Sequence, residues 1–317
     1  MDSKLHIVQL TEANSTLGTT SWKSTSDSVR RALELHGCVV VDYDNVHAAA
    51  AAAVEGGVFG VLKEVFGLPL ETKMKHKSGL LGFGYEGNYP EMPLFQCFGI
   101  EDGGTHQGIK DFTTLMWPHH HGHDIFCETI HSYSNLLSEL HNTVMKMVVS
   151  SYGLDDKYYD NLVDSSLYMT RLIEYRPPGE NESDIGLQSH RDKGFLTVIG
   201  TNEVRGLQIE TPGGEWIDFE PSPSKFLVLA GEAFMAWSNG RIYSPLHRVV
   251  ARGAEMEIRY SVGFFSFIGG ILQVPEELVD NKNPLKFKPF NNLEFLEYCK
   301  NGGGPTTESA IITYCGI

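Results

Sequence analysis

His190 and Asp192 lie one residue apart in the stretch Gly186–Gly200, GLQSHRDKGFLTVIG. On an extended backbone, residues i and i+2 face the same side. One imidazole and one carboxylate therefore point at a common place, and Arg191 turns the other way. These are two of the three ligands of a 2-His-1-carboxylate iron site, which leaves coordination positions open. The pair alone is weak evidence, because with 13 His in the chain a His-x-Asp is roughly what chance supplies. A loop histidine beside a solvated aspartate is the plain alternative.

The chain supplies more. His247 lies in SNGRIYSPLHRVV, where a later apolar segment begins. Arg259 and Ser261 lie in EIRYSVGFF and form another i, i+2 pair sharing one face of a strand. A guanidinium grips a carboxylate through two parallel hydrogen bonds, and a neighbouring hydroxyl adds a third. Tyr175, at the end of YMTRLIEY, can donate from another side. A metal held by three protein ligands keeps positions for a 2-oxo acid and for O₂. The triplet His-Arg-Asp also occurs in protein-kinase catalytic loops. The Asn, Asp-Phe-Gly and Gly-rich segments that kinase chemistry needs are not in this sequence. GLLGFGYEG lacks the Gly-Lys-Ser/Thr ending of a phosphate loop.

Composition narrows the class. The 317 residues are 41% hydrophobic and 21% charged, as in soluble globular proteins. A net charge of -15 disfavours nucleic acid and anionic membrane surfaces and permits a cationic small substrate. No apolar run reaches membrane-spanning length, and MDSKLHIVQL is not a signal peptide. Cys38, Cys97, Cys127, Cys299 and Cys315 are odd in number and scattered, which points to reduced thiols in a cytoplasmic setting.

The elements that must position these residues fall into two textures. The front of the chain reads as mixed and helical. It has a strand over His6–Leu10, a helix over Ser24–Leu35 and a short buried strand over Cys38–Val41. A second helix over Val46–Phe66 has Gly56-Gly57 as a candidate break, and a long amphipathic helix covers Ile125–Tyr152. Ser78–Gly104, rich in Gly, Pro and aromatics, reads as a loop over a pocket, and His119, His120, His121 and His123 as a solvated loop. After Leu167, short apolar segments alternate with turns: Tyr168–Tyr175, Phe195–Gly200, Leu207–Glu210, Trp216–Phe219, Phe226–Ala230, Phe234–Trp237, His247–Ala251 and Ile258–Phe267. That is the pattern of an antiparallel sandwich or barrel. A tail helix covers Asn291–Lys300.

Taken together, His-x-Asp, a long gap, His and then Arg-x-Ser resemble the plant 2-oxoglutarate- and Fe(II)-dependent dioxygenases. Similar segments run through nearly the whole chain: GCVVVDY, VFGLPLETK, MWP, RLIEYRPPG, HRDKGFLTVI, GLQI, GEWIDFEPSP, WSNGRIYSPLHRVV and VPEELVDNKNPLKFKPF. Within the group the sequence is most similar to the branch named after glucosinolate side-chain oxygenases, which includes steroidal-alkaloid hydroxylases.

The resemblance implies a mainly β, α+β fold with helical support: a double-stranded β-helix (jelly roll) braced by N-terminal helices. It implies one integrated domain over 1–317, with a mixed helical region at 1–165, the jelly-roll core at 166–268 and a helical tail at 269–317. It implies that His190, Asp192 and His247 bind Fe(II). Arg259 and Ser261, helped by Tyr175, would hold 2-oxoglutarate, with O₂ as second co-substrate and ascorbate as reductant. Phe265 falls where the family places a substrate-contacting aromatic, and Phe195, Phe112 and Tyr85 are further candidates for the pocket.

The implied reaction is hydroxylation, or oxidative demethylation, of a small alkaloid, terpenoid, phenolic or hormone, with release of succinate and CO₂. Desaturation, ring closure or rearrangement on the same site is one alternative. A non-enzymatic binding protein of the same fold is another. Three departures stand out. Ile173 replaces the family's Asn. The His247–Arg259 spacing is longer by about two residues, an even count that preserves strand facing if a turn at ARGAEM absorbs it. Phe267-Ile268-Gly269-Gly270 replaces a Pro-containing end.

Overall fold

A computed structural model of the chain describes residues 4–43, 48–118, 123–251, 257–304 and 308–317, with backbone alone for 48–56. Twelve strands build two facing sheets. In chain order they are β1 (Ile7–Gln9), β2 (Cys38–Asp42), β3 (Gly84–Tyr89), β4 (Met92–Glu101), β5 (Ser166–Tyr175) and β6 (Ile185–His190). There follow β7 (Leu196–Thr201), β8 (Leu207–Glu210), β9 (Trp216–Asp218), β10 (Lys225–Ala230), β11 (His247–Val250) and β12 (Arg259–Ile268).

The larger sheet runs β1-β2-β10-β7-β12-β5-β4-β3 and the smaller runs β6-β11-β8-β9. From β5 onward the chain crosses repeatedly from one sheet to the other, which is the double-stranded β-helix topology. A short pair, Ile271–Leu272 with Phe290–Asn291, lies outside both sheets.

Period-two alternation decides which side chains face inward. On β12 and β5 the paired residues are Arg259↔Tyr175, Ser261↔Ile173, Gly263↔Arg171 and Phe265↔Met169. These rows face the interior between the sheets. There Tyr175, Ile173, Phe95, Ile199, Leu227 and Leu229 pack with Leu207, Ile209 and Val249 of the smaller sheet. The intervening residues, Tyr260, Val262, Phe264 and Leu172, face outward into a helical layer.

That layer is led by the helix Asp124–Ser151, whose residues Ile130, Leu137, Leu140, Val144 and Val148 are buried at helical spacing. It packs with the helices Thr20–His36 and Ala48–Phe66. The first of these begins where the Thr19 hydroxyl accepts the Trp22 amide and ends at Gly37, in the left-handed region at φ 69°. Tyr133 comes so close to β7 that a Cβ at Gly200 would run into its hydroxyl. The helix therefore seats against bare backbone at that point.

Four sequence expectations change. Ser78–Gly104 holds the β3–β4 hairpin. It hides β4 because both its faces are covered: Phe95 and Cys97 face the inner core, while Phe98 faces the helices beside Phe66 and Phe112. No polar face marks such a strand. Second, the front of the chain adds β3 and β4 to the expected β1 and β2, so half of the larger sheet precedes residue 166. Third, Phe234–Trp237 is part of a helix, Glu232–Trp237, in which all six residues are buried. A four-residue apolar run does not distinguish a strand from a buried helical turn. Fourth, the helix Ala48–Phe66 runs unbroken through Gly56-Gly57. His119, His120, His121 and most of the ARGAEM segment, Arg252 to Met256, lie outside the described residues. His123 stacks on Trp117 with ring centroids 4.3 Å apart.

Leu140 is fully buried in the helical layer. Leu140→Ala should cost roughly 2–5 kcal/mol of stability, the usual range for emptying such a site. Urea unfolding followed by circular dichroism measures it.

Candidate metal centre

His190 is the last residue of β6 and His247 the first of β11, and the two stand directly opposite one another across the antiparallel pair. Their ring centroids are 4.3 Å apart. Asp192 follows just beyond β6, in the loop that leads to β7. Its Oδ1 lies 3.9 Å from His190 Nε2 and 3.7 Å from His247 Nε2. One ligand atom from each residue lies within 4.8 Å of the other two.

The tautomers suit a metal. His190 Nδ1–H donates to the Gln188 carbonyl at 2.9 Å, and His247 Nδ1–H points to the Pro245 carbonyl at 3.4 Å. Both Nε2 lone pairs are thus directed at the common point. Burial, then the neighbouring His247, lowers His190 to about 4 against the pull of Asp192, so its imidazole is neutral at pH 7. Burial acts to raise the Asp192 carboxyl, but His247, His190 and the Thr197 hydroxyl together outweigh it and hold it below its ordinary value. Two imidazoles that present Nε2 and one carboxylate, on one side of an open space, fit ferrous iron.

The loop bearing Asp192 is fastened from behind. Thr197 Oγ1 donates to Asp192 Oδ2 at 2.6 Å. The helix Glu232–Trp237 aims its first amides at the loop: Glu232 N–H donates to the Asp192 carbonyl at 2.8 Å and Ala233 N–H to the Gly194 carbonyl at 3.2 Å. A Cβ at Gly231 would strike the Gly194 carbonyl, so this approach requires glycine.

Arg259 lies deeper, on β12. It is buried, its Nη1 donates to Ser261 Oγ at 2.6 Å, and its guanidinium carbon lies 5.4 Å from the centre of the Tyr175 ring. Its Nε is buried without a hydrogen-bond partner, and among the described residues no carboxylate pairs with it. Burial lowers it to about 10, still a cation at neutral pH. Burial pushes the Tyr175 hydroxyl up to about 12 despite Arg259 and Arg171, so it stays protonated. A buried cation with no carboxylate partner, held by one hydroxyl and covered by an aromatic ring, suits an anion. Arg259 and Tyr175 line a cavity of about 150 Å³, and His190 and Asp192 open onto another of about 290 Å³.

Of the aromatic candidates, Phe265 lines the larger cavity. Phe195 does not: it is fully buried behind the loop and stacks on Phe234 at 4.2 Å. Phe112 packs between Phe98 and Phe126 in the helical layer. Tyr85 donates to Gln96 and packs on Phe98. Sequence reasoning missed Thr197 and Arg171, although both were within reach of the alternation rule, since Thr197 faces inward on β7 and Arg171 shares its face with Tyr175. A second group, His106, Cys127 and Glu128, lies at the surface, where His106 Nε2 pairs with Glu128 at 2.9 Å. That ion pair accounts for its compactness.

Residues 166–268 match the family described as the 2OG-Fe(II) oxygenase superfamily. The chain is 34% identical to a probable 2-oxoglutarate-dependent dioxygenase, AOP1 of Arabidopsis thaliana, across 95% of this chain and 98% of that one. Its fold is that of the rice dioxygenase for auxin oxidation, with a TM-score of 0.79 at 24% identity, covering 99% and 100% of the two chains. It is also that of JOX2, solved with 2OG, Fe and JA, with a TM-score of 0.77 at 22% identity, covering 98% and 89%.

The chain belongs to the 2OG-Fe(II) oxygenase superfamily. It is a 2-oxoglutarate-dependent dioxygenase that uses Fe(II) and 2-oxoglutarate, and its curated relatives include the AOP-type enzymes.

Thr197→Val removes the hydroxyl that orients Asp192 and keeps the side-chain shape. Metal affinity should fall about 10- to 100-fold, the usual effect of losing such an outer contact. Titration of metal-free protein with Fe(II) under anaerobic conditions measures it.

Proposed function

We propose that the enzyme hydroxylates, or oxidatively demethylates, a small specialised metabolite, with release of succinate and CO₂. One observation carries this reading: His190, Asp192 and His247 converge beside an otherwise largely apolar cavity of about 290 Å³. In this reading the three side chains hold Fe(II). Arg259 and Ser261, with Tyr175, receive the distal carboxylate of 2-oxoglutarate. The bound iron and co-substrate supply oxidative decarboxylation coupled to oxidation of an unactivated C–H bond.

The chain's own work is positional. His190 and His247 offer Nε2 because their Nδ1 protons are committed to backbone carbonyls. Asp192 stays ionised because the imidazoles and Thr197 favour its charge. Arg259 gives up little on binding an anion, because burial has already stripped it of water. Phe95, Phe265, Phe267, Leu187 and Leu296 line the larger cavity and exclude solvent from the substrate's reacting carbon.

A neutral alkaloid, terpenoid or phenolic suits that lining. A hormone is the second reading, since one similar structure is a dioxygenase for auxin oxidation and another holds JA.

Succinate release with Fe(II), ascorbate, 2-oxoglutarate and a natural-product library tests the reaction, and product mass separates oxygen insertion from loss of two hydrogens. His190→Ala and Asp192→Ala should abolish succinate release. Arg259→Ala should raise the apparent constant for 2-oxoglutarate by at least about tenfold, the scale of a lost charge-assisted pair. An unchanged constant would remove Arg259 from the anchor role.

A further inference from the structure

The cavity beside the triad contains an ion pair with no part in holding iron or 2-oxoglutarate. Arg171 of β5 and Glu86 of β3 both line it, together with His190 and Asp192. Arg171 Nη2 donates to Glu86 Oε2, Nε–H is directed at the Cys97 sulfur at 3.1 Å, and the guanidinium carbon lies 5.8 Å from the centre of the Phe95 ring. The third nitrogen, Nη1, and the second carboxylate oxygen, Oε1, have no hydrogen-bond partner among the described residues. The side chains are 17% and 25% exposed, so these two atoms are accessible without being lost to bulk water.

The fold makes room for this pair. The residues opposite Arg171 on both neighbouring strands are glycines, Gly263 on β12 and Gly99 on β4. At Gly263 a Cβ would run into the Phe265 ring, which lies over that bare backbone. At Gly99 a Cβ would meet the Gly82 carbonyl and Met169. The guanidinium thus emerges between two positions that carry no side chain. Phe95 and Phe265 supply apolar surface around it. A partly buried ion pair adds little to stability over apolar residues of the same volume, so stability does not account for it. The other cations at the cavity are engaged: Lys193 pairs with Glu232, and Arg191 is turned onto the Ser244 carbonyl and over the Tyr243 ring.

We propose that Arg171 and Glu86 together are the polar anchor for the substrate, and that they select a neutral molecule whose anchoring group both donates and accepts a hydrogen bond, such as an amide or an alcohol. The pair carries one positive and one negative charge, so it is neutral overall. A carboxylate would gain Arg171 but face Glu86. An ammonium would gain Glu86 but face Arg171. A group that accepts from Nη1 and donates to Oε1 satisfies both at no cost in charge. The inference rests on the oxygenase reading above and sharpens its substrate class, placing neutral metabolites ahead of acidic hormones.

The test is a binding comparison with three probes of one skeleton: indole-3-acetamide, indole-3-acetate and tryptamine. Each is titrated calorimetrically, without oxygen, into protein loaded with Fe(II) and 2-oxoglutarate. The wild type should bind the amide at least about tenfold more tightly than either ion. Glu86→Gln, which keeps the shape, should improve acetate binding by about tenfold and weaken tryptamine, and Arg171→Gln should do the reverse. A pair that only braces the sheet would shift all three probes alike. That result, or a wild type that prefers an ion, ranks the probes equally or binds none of them, overturns the proposal. If Arg171→Gln does not fold, the isosteric Glu86→Gln decides the matter alone. The oxygenase reading is judged separately, by succinate release from the wild type, so either can fail without the other.

Discussion

The site depends on a register. His247 and His190 face each other because β11 pairs with β6 at that one row, where one strand starts and the other stops. The pairing shifts at irregularities between His247 and Val250, so the row of the two imidazoles is local and does not follow from an even ladder. A slip of one residue would turn one imidazole to the far side of the sheet. The buried inner face prevents this, because the same slip would expose Val249 and Leu187 in place of their neighbours. Hydrophobic packing between the sheets thus fixes the distance between two imidazoles that lie far apart in the chain.

Electrostatics sets a second constraint. Arg259 is a buried cation whose only polar side-chain partner among the described residues is a serine hydroxyl. Such a group is costly in the free protein. The cost is tolerable because β12 is covered on both sides and cannot rearrange around it. An anion entering this place recovers the interaction that the fold leaves unmade. At the triad, burial and the neighbouring His247 lower His190, while the two histidines and Thr197 hold the Asp192 carboxyl below its ordinary value against burial.

How much of this could be read from the sequence depends on what carried the signal. The nearness of His190 to Asp192 and of Arg259 to Ser261 was legible because spacing of two on a strand is a strict rule, and these residues lie on or beside strands that the turn residues delimit. The long helix at 124–151 was legible from its apolar stripe. The β3–β4 hairpin was not, because β4 is covered on both faces and shows no alternation, and the glycines and aromatics of β3 mimic a loop. With that hairpin hidden, Glu86 could not be found. The place of Phe195 is hidden for a related reason: it follows the loop of Asp192 directly, but the helix at 232–237 covers it. The four-residue apolar run within that helix has the pattern of a strand as well.

The helix at 232–237 joins the site to the end of the chain. Its first residue, Glu232, is fully buried. Its carboxylate receives Lys193 from the ligand loop, the Ser309 hydroxyl and the Ile311 amide. Its backbone amide at the same time holds the Asp192 carbonyl. Asn292 adds a second tie, donating to the Lys193 carbonyl at 3.0 Å and accepting from the Ile268 amide at 3.0 Å. Residues 192–194 are therefore held by the helix, by the tail and by the end of β12 together. A short loop with glycine at 194 has little stiffness of its own. The precision with which Asp192 meets two imidazoles comes from these three attachments, two of them to residues more than forty positions away and none of them to the side-chain atoms that meet.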